Sequence, residues 1–488
     1  MFEFTSATPE SLGIPSQAVI DLLDEMKEHR LVMHSVLLLR HGKIAAEAYS
    51  EPVYDRDRKH RMYSVSKSFT SVAIGMMITE GKLSLDTKVA DIFPEYLPEN
   101  PNPYMMEATV SDLLRMSVFN ETGSYDWDTE NFVKSFFNAP YAMHKPGLVF
   151  HYDTAGTTTL CGIVEKLAGK PILEYMRPLL DELGISKDIW CVETPEGGSW
   201  TGSGILATPR DLAKFAQFCL QQGEWNGKQL VSREYMQAAT SWQIDTTVSD
   251  PGYPNPIGYG YQFWMLKEGG FSCNGMGSQF AFIMPKYDAI MITTADNQGI
   301  NNADDALRQM YYRFLKKISD EPLPENPEKQ AELESRRVLS IPLPNGKADS
   351  PMAEKISGVK YEFEENLFKW KWMRVDVSDK CYTLTYDKGQ GEQVIKLFRG
   401  GYDFFEFPDK YAGKRINVME KNYRCISAAA WPLENTLLGL VYSVDDYVGT
   451  LKMQFSFEDD TLTVFMTKNA ENFFSDYRGY LAGHAVKE

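Results

Sequence analysis

Ser64-Val-Ser-Lys67 opens an apolar stretch that runs Thr70-Ser-Val-Ala-Ile-Gly-Met-Met-Ile-Thr-Glu-Gly81. A serine hydroxyl is a weak nucleophile until a base removes its proton, and a lysine three residues on in a helix shares its face. The stretch reads as a buried helix ended by Gly81, which puts Ser64 at or near the helix N-terminus. Unpaired N–H groups there, and the positive end of the helix dipole, favour an oxyanion on a bound acyl group. The tetrad alone also fits a capping serine, and its spacing recurs at Ser357-Gly-Val-Lys360 with no helix signal. Two further segments raise its weight. In Lys145-Pro-Gly-Leu-Val-Phe-His-Tyr-Asp-Thr, a turn, an aromatic stretch and the following helix leave Tyr152 on the loop between them. In Ser272-Cys-Asn-Gly-Met-Gly-Ser-Gln-Phe-Ala-Phe-Ile-Met-Pro285, a strand is entered through glycines that let backbone approach a ligand.

The elements that must position these residues alternate. Helical spacing covers Ser16 to Glu28, Ala155 to Leu167 and Asp211 to Gln222, with a last helix at Asp304 to Lys317. A hairpin is signalled over residues 35–49, and strands return at Tyr259 to Leu266, Gln279 to Met284 and Ala289 to Thr294. A hairpin first, helices in the middle and strands before a last helix predict an α+β domain over 1–318, its sheet closed by both chain ends. Residues 319–355, rich in proline, glutamate and lysine, read as a linker. Period-two patterning such as Lys371-Trp-Met-Arg-Val-Asp-Val and Thr461-Leu-Thr-Val-Phe-Met predicts a smaller all-β domain over 356–488, a barrel or sandwich without a catalytic motif.

At 488 residues the chain is too long for one typical core, and 43% hydrophobic with 24% charged residues is ordinary for a soluble globular protein. A net charge of −17 argues against nucleic acid or an anionic membrane as partner. The first residues lack a basic and an apolar region, so no signal peptide is expected, and no apolar run is long enough to cross a bilayer. The six scattered cysteines read as small buried hydrophobes in a reducing, cytoplasmic compartment. The seven histidines make no zinc pattern, and neither a metal nor a cofactor is expected. His151 adjoins Tyr152 but reads as a local hydrogen-bonding residue.

Taken in order, Ser64-Val-Ser-Lys67, Tyr152-Asp-Thr154 and Met276-Gly-Ser278 resemble the three elements of the serine β-lactamase and penicillin-binding-protein superfamily. The likeness is to its class C-like branch of esterases, D-peptidases and β-lactamases, where the second element is Tyr-x-Asn and the third Lys-Thr-Gly or His-x-Gly. Residues 82–96 and the run Gly202 to Gln217 look like further family segments, and the likeness spans residues 8 to 315. It implies a β-lactamase-like fold, an antiparallel sheet flanked by helices plus a helical region. It implies Ser64 as nucleophile, with Lys67 and Tyr152 as base and proton relay, either of which can take the proton. It also implies an oxyanion hole from the backbone N–H groups of Ser64 and Gln279, and a substrate-binding rim of Thr154, Met276, Gly277 and Ser278. Two departures matter. Met276 offers no cation for a substrate carboxylate, and Thr154 replaces an amide. An anionic β-lactam would then lose a charge-assisted bond worth about 1.5–3 kcal/mol. The expected activity is hydrolysis of a neutral ester or simple amide, carboxylesterase-like, with acyl transfer as a close variant. A D-peptidase, amidase or weak β-lactamase is the alternative, and a non-catalytic binding scaffold the second. The partner is a small ester or amide; oligomeric state is open. Tyr125, Trp127, Tyr141, Trp200 and Trp242 are candidates to line an apolar pocket.

Overall fold

The computed structural model describes residues 2–120, 130–138, 143–246, 258–410, 422–471 and 473–486. The chain forms two compact units, one up to Ser340 and one from Ile341 onward. Elements of the first unit used below are α1 (Ser16–Glu28), β1 (Met33–Arg40), β2 (Lys43–Tyr49), α2 (Ser66–Thr79), α3 (Thr154–Ala168), α4 (Pro209–Leu220), β3 (Trp264–Met265), β4 (Phe271–Gly275), β5 (Gln279–Met284), β6 (Ala289–Ala295), α5 (Ala303–Leu315) and α6 (Pro327–Glu334).

The six strands make one antiparallel sheet in the order β2-β1-β6-β5-β4-β3, with Leu37 opposite Ile292 and Phe282 opposite Met291. The sheet is closed by both chain ends of the unit, as the element order predicts. β5 and β6 are buried along their whole length, which is why they read as continuous apolar runs rather than as alternation. On one face α1 and α5 bury Ile20, Leu23, Leu307, Tyr311 and Phe314 against Leu38, Phe280 and Phe282. On the other, Phe69 of α2 stacks on Phe215 of α4 with ring centroids 3.8 Å apart, and α4 lies against β5 and β6.

Two expectations change. The segment Ser272 to Pro285 is not one strand but a hairpin, β4 and β5 joined by the turn 276–278. Of the strand expected from Tyr259 to Leu266 only Trp264–Met265 forms. The presumed linker also divides. Residues 319–340 are built into the first unit: the Ser319 N–H donates to the Gly13 carbonyl, that of Leu323 to Glu10, and that of Leu339 to Tyr49. Buried Arg40 donates to the carbonyls of Leu12 and Ser319, and Arg336, two residues past the end of α6, pairs with Asp24 at 2.9 Å. Residues from Ile341 on, including a helix at Pro351–Ile356, belong to the second unit.

The second unit is a barrel-like antiparallel sheet of β7 (Lys360–Phe363), β8 (Trp372–Val377), β9 (Cys381–Asp387), β10 (Glu392–Phe398), β11 (Asp403–Lys410), β12 (Asn422–Leu433), β13 (Thr436–Val444), β14 (Val448–Glu458), β15 (Thr461–Asn469) and β16 (Gly479–Ala485), in the order β10-β9-β8-β7-β16-β15-β14-β13-β12-β11. Its two ends approach each other, with Arg399 bridging Ala429 and the Ser427 hydroxyl donating to the Lys396 carbonyl. The interior is filled by side chains, among them Trp370, Tyr386, Trp431, Met453 and Phe455. Among the described residues no helix is long and apolar enough to cross a membrane. All six cysteines are unpaired, and four of them are buried.

Candidate active site

α2 is buried on nearly every side although serine and threonine fill its first turns. A buried hydroxyl without a partner costs about 1–3 kcal/mol, so each must be met. Thr70 Oγ1 donates to Thr201 Oγ1 at 2.6 Å, Ser68 Oγ to the Gln262 carbonyl at 2.7 Å, and Ser66 Oγ accepts from Ile205 N–H at 3.0 Å. Just upstream, buried Arg61 donates to the Ser203 carbonyl at 2.9 Å, and Met62 N–H to Ile205. The helix start is thus laced to residues 201–205. A 3₁₀ turn, Tyr63–Val65, leads directly into α2 and holds Ser64 half-buried at the entrance, with Tyr63 at φ +47°.

Lys67 is 1% exposed, and its Nζ lies 3.1 Å from Ser64 Oγ. Its ammonium also donates to the Gly202 carbonyl at 2.5 Å and sits 5.0 Å from the centroid of the Tyr152 ring. Tyr152, 85 residues beyond Lys67 in the chain, is therefore brought to the serine–lysine pair. In the sequence Gly202 only opens the family-like run to Gln217, and its carbonyl is a partner that no side-chain motif marks. A Cβ at Gly202 would come within 2.6 Å of Thr154 Cγ2 and 3.0 Å of Thr158 Oγ1, so this approach requires glycine. Thr154 itself is the first residue of α3, its methyl against Gly202.

Tyr152 is held by packing. Its ring stacks on Trp264 at 5.6 Å, stands edge-on to Tyr259 at 6.4 Å, and joins Met116, Phe150 and Ile244. The next residue, Asp153, caps α3 by accepting from the N–H groups of Ala155 and Gly156, both at 2.9 Å. Burial pushes the Asp153 carboxyl above the usual carboxylate range, against the lowering effect of those N–H groups and of the nearby His151 and Lys67 charges.

The third element sits differently from its expected register. The strand that reaches Ser64 is β4, and the residues it carries there are Cys273-Asn274-Gly275. A Cβ at Gly275 would lie 2.3 Å from the Met62 carbonyl oxygen, so only glycine lets β4 pass this close to the nucleophile turn. Gln279, expected in the oxyanion hole, begins the next strand back: it is wholly buried, and its side-chain amide bonds both the carbonyl and the N–H of Ala295. Ser278, expected at substrate, is also turned inward, donating to Asp304 Oδ1 at 2.6 Å and accepting from Asn297 at 3.1 Å. Met276, 39% exposed, and Gly277 stay on the rim. The main-chain N–H groups of Ser64 and Met276 make no hydrogen bond to other protein groups among the described residues. Cys273 is no rival nucleophile, since burial pushes its thiol up to about 12.

Ser64, Tyr152 and the segment Asn274–Gly277 open on a cavity of about 460 Å³. Its far wall comes from residues 297–308 and includes Asp304, Asp305 and Arg308, which sequence reasoning did not select. Of the pocket aromatics, Trp200 is buried beneath Arg61 and Trp242 lies exposed. Tyr125, Trp127 and Tyr141 lie outside the described residues.

The chain is similar to several known hydrolases. It is 24% identical over 313 residues to a 6-aminohexanoate-dimer hydrolase of Paenarthrobacter ureafaciens, covering 59% of this chain and 79% of that protein. A Bacillus anthracis structure described as a candidate 6-aminohexanoate-dimer hydrolase superposes with a TM-score of 0.52 at 22% identity, covering 66% of this chain and 89% of the other. The structure of EstCE1, a hydrolase with promiscuous acyltransferase activity, does so with a TM-score of 0.50 at 15% identity, covering 61% and 99%. Residues 19–312, more than half of the chain, match the Beta-lactamase family model, and the protein belongs to that family.

Proposed function

We propose that the protein hydrolyses an ester or simple amide carrying no negative charge beside the reacting carbonyl, through an acyl-enzyme on Ser64. The observation that carries this reading is the 3.1 Å approach of Lys67 Nζ to Ser64 Oγ, with the Tyr152 ring beside that amine, at the edge of an open cavity. Ser64 Oγ attacks the carbonyl carbon while its proton passes to the Lys67–Tyr152 pair. The oxyanion is met by the N–H groups of Ser64 and Met276, the latter taking the place first given to Gln279. A donor of this kind is worth about 2.7–4 kcal/mol to a tetrahedral intermediate. Collapse expels the alcohol or amine, which takes the proton from the same pair. Water, deprotonated in turn, attacks the acyl carbon and releases the acid and Ser64. An acceptor alcohol in place of water would give acyl transfer by the same steps.

Two features favour this over penicillin hydrolysis. Cys273, Asn274 and Met276 supply no cation where the strand passes Ser64, and the guanidinium on the far wall, Arg308, already donates to Asp305 at 3.2 Å. The name of one relative, a 6-aminohexanoate-dimer hydrolase, supports hydrolysis as the reaction class. Labelling with a fluorophosphonate tests the reading: the adduct is expected on Ser64 and is lost in Ser64→Ala. Turnover is expected on p-nitrophenyl esters and poor on nitrocefin. An adduct on another residue, or nitrocefin as the best substrate, overturns it.

A further inference from the structure

Gln262 is buried and holds a φ of +65°, a left-handed conformation that a residue with a Cβ keeps only where surrounding bonds impose it. Glycine would adopt this turn without strain, and what glutamine adds is its bonds. Every polar group of the residue is engaged. Its main-chain N–H donates to the Leu114 carbonyl at 3.0 Å, and its main-chain carbonyl accepts from Ser68 Oγ at 2.7 Å. The side-chain amide donates to the carbonyls of Leu113 at 3.1 Å and Leu114 at 2.8 Å, and its oxygen accepts from Thr157 Oγ1 at 2.8 Å. Two donors and an acceptor on one group are what a primary amide offers, and a carboxylate does not.

The segments joined in this way are those that carry the proton-relay groups. Ser68 follows Lys67 in α2. Thr157 lies in the first turn of α3, the helix that begins just after Tyr152 and Asp153. Leu113 and Leu114 end the short helix Val110–Leu114, and two residues later Met116, at φ +59°, holds the chain on both sides of Tyr152. Its carbonyl accepts from the His151 N–H at 2.8 Å, and its sulfur from the Asp153 N–H at 3.2 Å. Gln262 also falls between Tyr259 and Trp264, the two residues whose rings meet that of Tyr152 edge-on and face-on. It does not line the cavity, so any effect it has on the reaction passes through these partners.

We propose that Gln262 is a positioning residue for the proton relay, its amide fixing the Tyr152 ring against the Lys67 amine. This rests on the serine-hydrolase reading and adds to it a residue away from the substrate. The test is a cycle with Tyr152→Phe on p-nitrophenyl butyrate, with rates expressed per Ser64 titrated by a fluorophosphonate. Gln262→Met keeps the length of the side chain and removes both donors and the acceptor. It is expected to lower kcat by about 10²-fold with KM within about twofold, as a displaced relay does. In the Tyr152→Phe background no phenol remains to be placed, and the same change is expected to cost no more than about threefold, because residues acting through one another are not additive. Thr157→Val, close in shape and removing only the bond to the amide oxygen, repeats the cycle with little risk to the fold. It is expected to cost about fivefold in kcat with Tyr152 present and to be near unity without it. Losses carried undiminished into Tyr152→Phe, a change in KM alone, or full activity in both Gln262→Met and Thr157→Val overturns the inference while leaving a labelled Ser64 intact. Labelling of the wild type elsewhere than Ser64 removes the hydrolase reading and this inference with it.

Discussion

Each unit of the molecule buries a lysine against a tyrosine ring, and the two lysines are surrounded differently. In the second unit Lys388, 8% exposed, lies 4.7 Å from the Tyr477 ring centroid and is ringed by Asp409 at 3.3 Å, Asp476 at 3.4 Å and the Tyr477 hydroxyl at 3.3 Å. In the first, Lys67 donates to a carbonyl and a serine hydroxyl, while Asp153, an acidic group whose charge is felt there, is engaged by the N–H groups of α3. Carboxylates compensate a buried charge and make a structural ion pair. Neutral acceptors leave an amine able to exchange a proton with the group beside it. Burial of a lysine is therefore no mark of catalysis; the identity of its acceptors is.

Substitution should separate the two. Lys67→Met is expected to lower kcat/KM on a p-nitrophenyl ester by about 10⁴-fold with little loss of stability, since it removes a buried amine and keeps the packing. If Lys67→Met retained a tenth of the activity, the distinction would collapse. Tyr152→Phe keeps the ring on Trp264 but deletes the phenol, and a fall of about 10²–10³-fold in kcat is expected from steady-state kinetics. Gly202→Ala pushes Thr154 and the carbonyl under Lys67 apart; a displacement of this kind costs about 10²-fold in kcat with KM nearly constant. Lys388→Met should do the reverse of Lys67→Met. Small-ester kinetics stay within about twofold of wild type, and urea unfolding shows a loss of about 1–3 kcal/mol, discounted because Asp476 is largely exposed.

A third buried pair supplies the smallest effect. His34 and His60 are in contact at 3.1 Å, His34 stacked on Tyr54 and His60 tilted against it, and no carboxylate is among the causes that shift them. Burial lowers both, His60 to about 3 and His34 well below its ordinary value. They are neutral in the folded protein, so below pH about 6.5 the unfolded chain binds protons that the native state refuses. Stability present at neutral pH is then lost as pH falls from about 6.5 toward 3, at up to about 1.4 kcal/mol per pH unit for each histidine. Urea midpoints at pH 7, 6 and 5 should show His60→Phe with a shallower decline than wild type.

What the sequence disclosed followed from how local each signal is. Ser64 and Lys67 share one helical face, and Tyr152 sits between a turn and a cap, so each could be placed from neighbours in the chain. β1, β2, β5 and β6 were legible because they are largely apolar runs bounded by turns, whereas β3, two residues long, and β4, short and polar at Ser272 and Asn274, were not. The third element was misplaced because Gly275-Met-Gly277 has the composition of a strand entrance, and only non-local facts, the pairing of β4 with β5 and the closeness of the Met62 carbonyl to Gly275, show that the strand comes before the turn. Residues 319–340 look like a linker by composition, yet carbonyls at Ser319 and Glu10 and the charge of Arg336 tie them down. Asn274 and the α5 carboxylates gave no local signal, since the cavity joins two segments about thirty residues apart.

The lacing of residues 61–70 to 201–205 has a consequence for change over evolution and in the laboratory. The groups that move the proton are anchored by one set of bonds, and the turn at 276–278 and the first turn of α5 by another, through Ser278, Asp304 and Asn297. Remodelling the second set can alter what is accepted without unfastening the first. A scaffold with that separation lends itself to new substrates by loop and helix-end exchange.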